Sequence, residues 1–291
     1  MPELPEVETV KRGLERLIVG KTIKSVDYDW AKSFPNSNND VQQFLIDSKI
    51  TKVRRRAKVL IIDLDTNYSL VTHLKMTGQL VFRGDKSFGS GHPNDSLVGK
   101  LPDKSTRVTI DFTDGSKLFF NDQRKFGWCR LLPTDEIKNL PFFQKVGPEP
   151  LEKEFTAQAL LKRLDRRKNS MIKAVLLDQS VLAGIGNIYA DEALFMSGIH
   201  PESRVANVPK SKLINLHGNI VDVLQTSINS GGSTDKNYID AEGRKGSFLT
   251  FAKVFRREGL PCENCTNDIV KIRVAGRGTH ICVKCQVYNE H

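Results

Sequence analysis

No apolar run in the 291-residue sequence approaches the roughly 18 residues that carry a helix across a bilayer, which argues against a helical membrane protein. The opening Met1-Pro2-Glu3-Leu4-Pro5-Glu6 lacks the basic flank and apolar stretch of a secretory leader, so a cytoplasmic protein is expected. Internal repeats and low-complexity tracts are also missing. Cysteine is scarce, at five residues. Acidic residues are outnumbered, 34 against 44 Lys and Arg, which leaves a net charge of +10. A basic surplus favours polyanionic partners such as nucleic acid or an anionic membrane surface, although charge also serves solubility. The hydrophobic content of 39% and charged content of 27% are ordinary for a globular chain with room for one large or two medium domains.

Four of the five cysteines form two pairs, Cys262-x2-Cys265 and Cys282-x2-Cys285, with sixteen residues between. In a reducing compartment that spacing reads as one zinc site. Four thiolates leave no open coordination position, so the Zn2+ is expected to be structural. Between the pairs, Val274-Ala275-Gly276-Arg277-Gly278-Thr279 suits a hairpin tip that could press an arginine onto a phosphate. The plainer reading is a ribbon that only staples the C-terminus. Cys129 stands apart and is expected to be a small buried apolar residue.

The periodicity predicts an amphipathic helix over residues 5–19, with Pro5 in its first turn, Glu6 and Glu8 near its positive end and Gly20 stopping it. Pro2 and Glu3 then lie on the approach to that helix. Strands are predicted over 22–28, 59–64, 69–74, 79–82, 107–112 and 117–121, with Asp114-Gly115 as a hairpin turn and 83–105 as a long flexible loop. Many short strands suggest a sandwich. A proline-rich linker at 141–150 precedes helices over 156–167, 170–178, 188–197 and 211–229. Residues 230–246 read as a mobile segment and 251–286 as short strands around the cysteines.

Other segments carry chemical potential, each with an ordinary alternative. The 182–192 stretch, Leu-Ala-Gly-Ile-Gly-Asn-Ile-Tyr-Ala-Asp-Glu, could offer backbone N–H groups to a phosphate just before a helix, or could simply be a tight turn packing two helices. The basic runs 52–58 and 162–168 could be solvated faces. Met76 and Phe126, each near a glycine in a strand-end turn, would singly be read as core residues.

Together, the opening motif through Glu8, the 122–127 turn, the 182–192 segment and the cysteine pairs occur in an order that resembles the formamidopyrimidine-DNA glycosylase family along essentially the whole chain. The resemblance implies an α+β multidomain fold: an N-terminal β-sandwich with an N-terminal helix, then a helix–two-turn–helix domain with a C-terminal zinc-ribbon finger. On this chain the expected boundaries are 1–135 for the sandwich, 136–153 for a linker, 154–250 for the helical domain and 251–291 for the finger.

The same resemblance implies excision of oxidised purines such as 8-oxoguanine and formamidopyrimidines from duplex DNA, followed by strand cleavage. Pro2 would be the nucleophile once Met1 is removed, Glu3 the acid/base for sugar ring opening, and Lys58 an assistant at the phosphate and sugar. Met76, Arg124 and Phe126 would fill the space left by the flipped nucleotide, with Phe126 as wedge and Arg124 facing the estranged base. Asn187 and Arg277 would grip phosphates, and Lys173 and Tyr238 would touch the flipped base or its phosphate. The expected partner is damaged double-stranded DNA, engaged by a monomer associated with the nucleoid. Ser105-Thr106-Arg107-Val108 departs from the family pattern by lacking a histidine before that strand. An endonuclease VIII-like preference for oxidised pyrimidines is the alternative, and Leu4, where that group typically has glycine, argues against it. A non-catalytic damage binder would be expected to lack Pro2, Glu3 or Lys58, and a zinc-ribbon interaction module leaves the N-terminal motif unexplained.

Overall fold

Helix α1 (Leu4–Ile18) forms where the sequence places apolar residues three and four apart: Val7, Val10, Leu14 and Ile18 are all fully buried in the core of the first unit. The computed structural model describes residues 1–232 and 248–288. It divides into one unit of Met1–Gln144 with Ser230–Ser247, and a second of Lys145–Asn229 with Phe248–His291.

In the first unit α1 is followed by nine strands: β1 (Ile23–Tyr28), β2 (Ile50–Arg56), β3 (Val59–Leu64), β4 (Tyr68–His73), β5 (Gly78–Arg83), β6 (Ser87–Gly91), β7 (Thr106–Phe112), β8 (Lys117–Asp122) and β9 (Trp128–Pro133). They form a five-stranded sheet, β1-β7-β8-β5-β6, and a four-stranded sheet, β2-β3-β4-β9. Inward-facing side chains of both sheets, Leu60, Ile62 and Leu70 from one and Leu80, Val108 and Phe120 from the other, share one core with α1. Cys129 is buried in it, and burial pushes its thiol up to about 12, as expected for a packing residue.

Of the chain's three passages between the sheets, two matter for the site, from β4 to β5 and from β8 to β9. Because β4 pairs with β9 and β5 pairs with β8, the two crossings run side by side. This topology brings Thr77, the neighbour of Met76, into hydrogen-bond contact with Asp122 and Arg124, 45 and 47 residues away in sequence.

Three strands lie where the sequence predicts none. In β2 the basic run hides the alternation: Ile50 and Val53 are buried, while Arg54 pairs with Asp63 at 2.7 Å and Arg55 with Glu8 at 3.0 Å. β9 alternates Cys129 and Leu131 inward with Trp128 and Arg130 outward. β6 corrects the expected flexible loop over 83–105. Its Ser and Gly content resembles a linker, yet Phe88 is buried against Gly13 of α1, where an added Cβ would stand 2.1 Å from the ring. Leu97, further along, is buried with Val81 and Phe119.

The second unit contains α2 (Ala157–Asp165), α3 (Ile172–Leu177), α4 (Asn187–Met196) and α5 (Lys210–Asn229), then a hairpin of β10 (Val270–Val274) and β11 (Arg277–Ile281). Leu160, Leu176, Leu194, Leu216 and Leu224 build its helical core. Two turns join α3 to α4. In the first, Asp178 accepts from the Ser180 amide at 2.9 Å; in the second, Gly184 adopts φ +80 and its amide donates to Gln179 at 2.9 Å. A buried cluster of Phe195, Val254, Ile269, Cys262 and Cys282 packs the finger onto α4. Among the described residues, no helix is long and apolar enough to cross a membrane.

Candidate active site and nucleic-acid interface

The N-terminus is organised by a reciprocal capping box. The Glu3 amide donates to Glu6 Oε2 at 2.7 Å, while the Glu3 side chain accepts from the Glu6 backbone. Pro2, Glu3 and Glu6 are all buried, and Met1 is exposed ahead of them. The Glu8–Arg55 pair ties this helix to the β2–β3 hairpin, whose turn consists of Ala57, at φ +52, and the buried Lys58. Arg55 also donates to the Ala57 carbonyl at 2.9 Å, fixing the turn from below.

His73, at the end of β4 and paired with Val59, belongs to the same neighbourhood and was not singled out from the sequence as a site residue. Burial, reinforced by the cations Lys75 and Lys58, lowers its pKa to about 3. The ring is therefore neutral, and its Nδ1 accepts from the Lys75 amide at 3.0 Å. The signal available was only a histidine in a glycine-bounded turn.

The paired crossings between the sheets are held by one fully buried carboxylate. Asp122 Oδ2 accepts from the amides of Phe126 at 2.8 Å and Gly127 at 2.6 Å. Its Oδ1 accepts from the Arg124 amide at 3.2 Å and from the hydroxyl of Thr77, which in turn accepts from the Arg124 amide at 3.0 Å. Thr77 is the neighbour of Met76, so one network fixes both turns. Lys125 adopts φ +57 at the apex, and Gly127 is required because a Cβ there would meet the Phe120 ring at 2.6 Å. Phe126 is left 52% exposed with the Arg124 guanidinium 4.8 Å from its ring centre, and Met76 is half-buried. Phe126 is thus not the core aromatic that its residue type alone would suggest.

In the second unit, Asn187 opens α4 and donates from Nδ2 to the Gly278 carbonyl at 2.9 Å, next to the exposed Arg277 that begins β11. Lys173 departs from the expected contact with base or phosphate. Its ammonium is fully buried, 2.5 Å from Asp191 Oδ1 and 2.6 Å from the Thr279 hydroxyl. Asp191 Oδ2 accepts from the His280 amide at 3.0 Å, so this ion pair anchors the hairpin that carries Arg277. Glu192 accepts the amides of Lys253, Val254 and Phe255 at 2.8–3.0 Å and fixes the entry to the finger. Tyr238 lies outside the described residues.

The sulfurs of Cys262, Cys265, Cys282 and Cys285 all lie within 4.8 Å of one another, with Cys265 and Cys282 at 3.4 Å and Cys262 and Cys285 at 3.8 Å. Four thiols this close fit one tetrahedral metal ion, whose charge offsets the repulsion among thiolates.

A β-sandwich headed by a capped helix, followed by a helix–two-turn–helix and a four-cysteine hairpin, makes up a multidomain α+β architecture. Residues 1–129 match the model of the formamidopyrimidine-DNA glycosylase N-terminal domain, 146–238 that of the formamidopyrimidine-DNA glycosylase H2TH domain, and 259–287 that of the zinc finger found in FPG and IleRS. The chain is 42% identical over 289 residues to the formamidopyrimidine-DNA glycosylase of Bacillus licheniformis, covering 98% of this chain and 99% of that protein. It is 40% identical to that of Ligilactobacillus salivarius, covering 99% of each. A solved complex of Lactococcus lactis Fpg with DNA containing an abasic site superposes with a TM-score of 0.86 at 34% identity, covering 98% of this chain and 99% of that one. The wild-type Lactococcus lactis protein with N7-benzyl-Fapy-dG DNA gives 0.85 at 33%, with the same coverage. The chain belongs to the formamidopyrimidine-DNA glycosylase family.

Proposed function

We propose that the chain excises oxidised purines, 8-oxoguanine and formamidopyrimidines, from duplex DNA and then cleaves the strand by β,δ-elimination. The observation that carries this reading is Pro2 fixed one residue ahead of a capping box, with the acid Glu3 beside it. After removal of Met1, the Pro2 nitrogen is a secondary amine with a pKa of about 7.7–8, so a useful fraction is neutral at physiological pH. It attacks C1′ of the damaged nucleotide. The C1′–base bond breaks as the base departs with its electron pair and takes up a proton. Glu3 handles the proton of the sugar ring oxygen as the ring opens.

The ammonium formed by the attack gives up its proton, and the freed nitrogen lone pair forms the C1′–N double bond as the C1′–O4′ bond breaks and O4′ takes up a proton through Glu3, which leaves a charged iminium. That iminium is the electron sink for successive loss of the 3′ and 5′ phosphates. Lys58 binds the phosphate and sugar near the lesion. Met76, Arg124 and Phe126 occupy the space left by the flipped nucleotide, and Asn187 and Arg277 hold phosphates. Zinc, held by the four cysteines, is structural: it keeps the Arg277 hairpin folded and enters no step. The protein acts as a monomer on damaged DNA in the cytoplasm.

Borohydride reduction during reaction with duplexes carrying one defined lesion tests the assignment. The expected result is a covalent adduct on the peptide that begins at Pro2, with protein retaining Met1 inactive and Lys58→Ala still trapped, more slowly. An adduct on Lys58, or full activity with Met1 in place, overturns the assignment. Trapping across lesions separates the purine reading from a preference for oxidised pyrimidines.

A further inference from the structure

We propose that Trp30 is a second aromatic contact with DNA, set beside the Arg124–Phe126 turn to pack against the strand opposite the lesion. The inference rests on the functional reading above. Trp30 follows β1 and is 36% exposed, while Tyr28, two residues earlier, is also exposed and the nearby Phe34 is fully buried. The core therefore takes Phe34 and leaves Trp30 at the surface. Its backbone is nonetheless fixed: the Trp30 carbonyl accepts from the Ser33 amide at 2.8 Å, and the Ser33 carbonyl accepts from Cys129 in β9 at 2.8 Å.

Two links join this turn to the wedge turn. Lys125, between Arg124 and Phe126, places its ammonium 4.7 Å from the centre of the Trp30 ring. Asp29 pairs with Arg107, whose Nε donates to the Asp122 carbonyl at 2.9 Å and whose other nitrogen reaches the Lys104 carbonyl. Arg107 lies in the 105–108 stretch that departs from the family pattern, and its buried guanidinium fastens the Trp30 turn to the residue that organises the wedge.

The resulting surface is an indole flanked by the exposed cations Lys32, Lys104, Arg124 and Lys125. Aromatic rings among cations suit a nucleic-acid strand, because a ring can stack on bases or sugars while the charges meet phosphates. Arg124 faces the estranged base in the proposed function. The adjoining Lys125, and the ring beneath it, therefore meet the strand that carries that base.

Trp30 and Trp128 are the two tryptophans in the sequence, which makes the contact measurable by fluorescence. The probe is a duplex containing a tetrahydrofuran abasic analogue, with binding followed by polarisation of a labelled strand. In Trp128→Phe protein, saturating duplex should quench Trp30 emission and reduce its accessibility to acrylamide. The difference in emission between native protein and Trp30→Leu gives the same readout without altering Trp128. Trp30→Leu should weaken binding roughly tenfold, the order expected for one stacked aromatic. Truncating the strand opposite the analogue should abolish that difference. Unchanged Trp30 emission and quenching at saturation overturn the inference while leaving the functional reading intact. Retention of the full effect after truncation overturns the strand assignment. Failure of native protein to bind the analogue duplex overturns both.

Discussion

Burying a phenylalanine side chain is worth roughly 1.5–3 kcal/mol, and Phe126 forgoes much of it. Its turn is held by Asp122 rather than by the ring, so Phe126→Ala should change stability by no more than about 0.5 kcal/mol. A core phenylalanine would cost about 3–5 kcal/mol. Near-normal melting combined with poor activity on lesion duplexes supports the wedge role, and a large fall in melting temperature would return Phe126 to the core. His73 shows the opposite use of a turn residue. Its folded pKa, about 3, lies below the unfolded value, so its contribution is complete above about 6.5. As pH falls from there toward 3, the unfolded chain takes up a proton that the folded protein excludes. Stability should drop by about 1.4 kcal/mol per pH unit in that window. His200 is lowered by partial burial and acts in the same direction, so the informative comparison is native protein against His73→Gln. If denaturation midpoints of the two fall equally between pH 6.5 and 5, His73 does not carry this dependence.

At the scale of elements, the finger hairpin has two anchors, the cysteine cluster and the Lys173–Asp191 pair. Replacing Asp191 with Asn removes the charge that Asp191 sets against the buried Lys173 ammonium, which should cost about 3–5 kcal/mol. DNA affinity should fall with the melting temperature while zinc content is retained. If melting is unchanged, the pair does not hold the hairpin. None of this was readable in the sequence, where Lys173 and Asp191 are separated by eighteen positions and neither carries a mark of burial. Regular alternation and helical spacing did reveal α1, β3, β7, β8 and the four long helical segments of the second unit to within a few residues. β2 and β6 were hidden for different reasons. In the first, cations neutralised by Asp63 and Glu8 look like a solvated run; in the second, small residues take their burial from a ring packed on Gly13. The cysteine pairs and the Pro2-Glu3 motif were legible because their chemistry depends on residue type and spacing. The Asp122 and Arg107 networks depend on which chain crossings become neighbours, and only the fold supplies that.

For the whole molecule, a net charge of +10 should make duplex binding steeply dependent on salt, since each phosphate neutralised releases a counterion. Arg277→Ala should flatten the plot of log affinity against log salt by about one contact. An unchanged slope would mean that Arg277 meets no phosphate. A protein that must examine many sound base pairs for each damaged one also faces a kinetic demand, and the paired crossings bear on it. Their amides are already satisfied by a buried carboxylate, so the turn has little conformational freedom left to lose when it meets a helix. Each insertion and withdrawal of Phe126 would then leave the protein's backbone as it was. The time spent at a sound pair would be set by the DNA's resistance to unstacking, so a weakened pair would identify itself by yielding first.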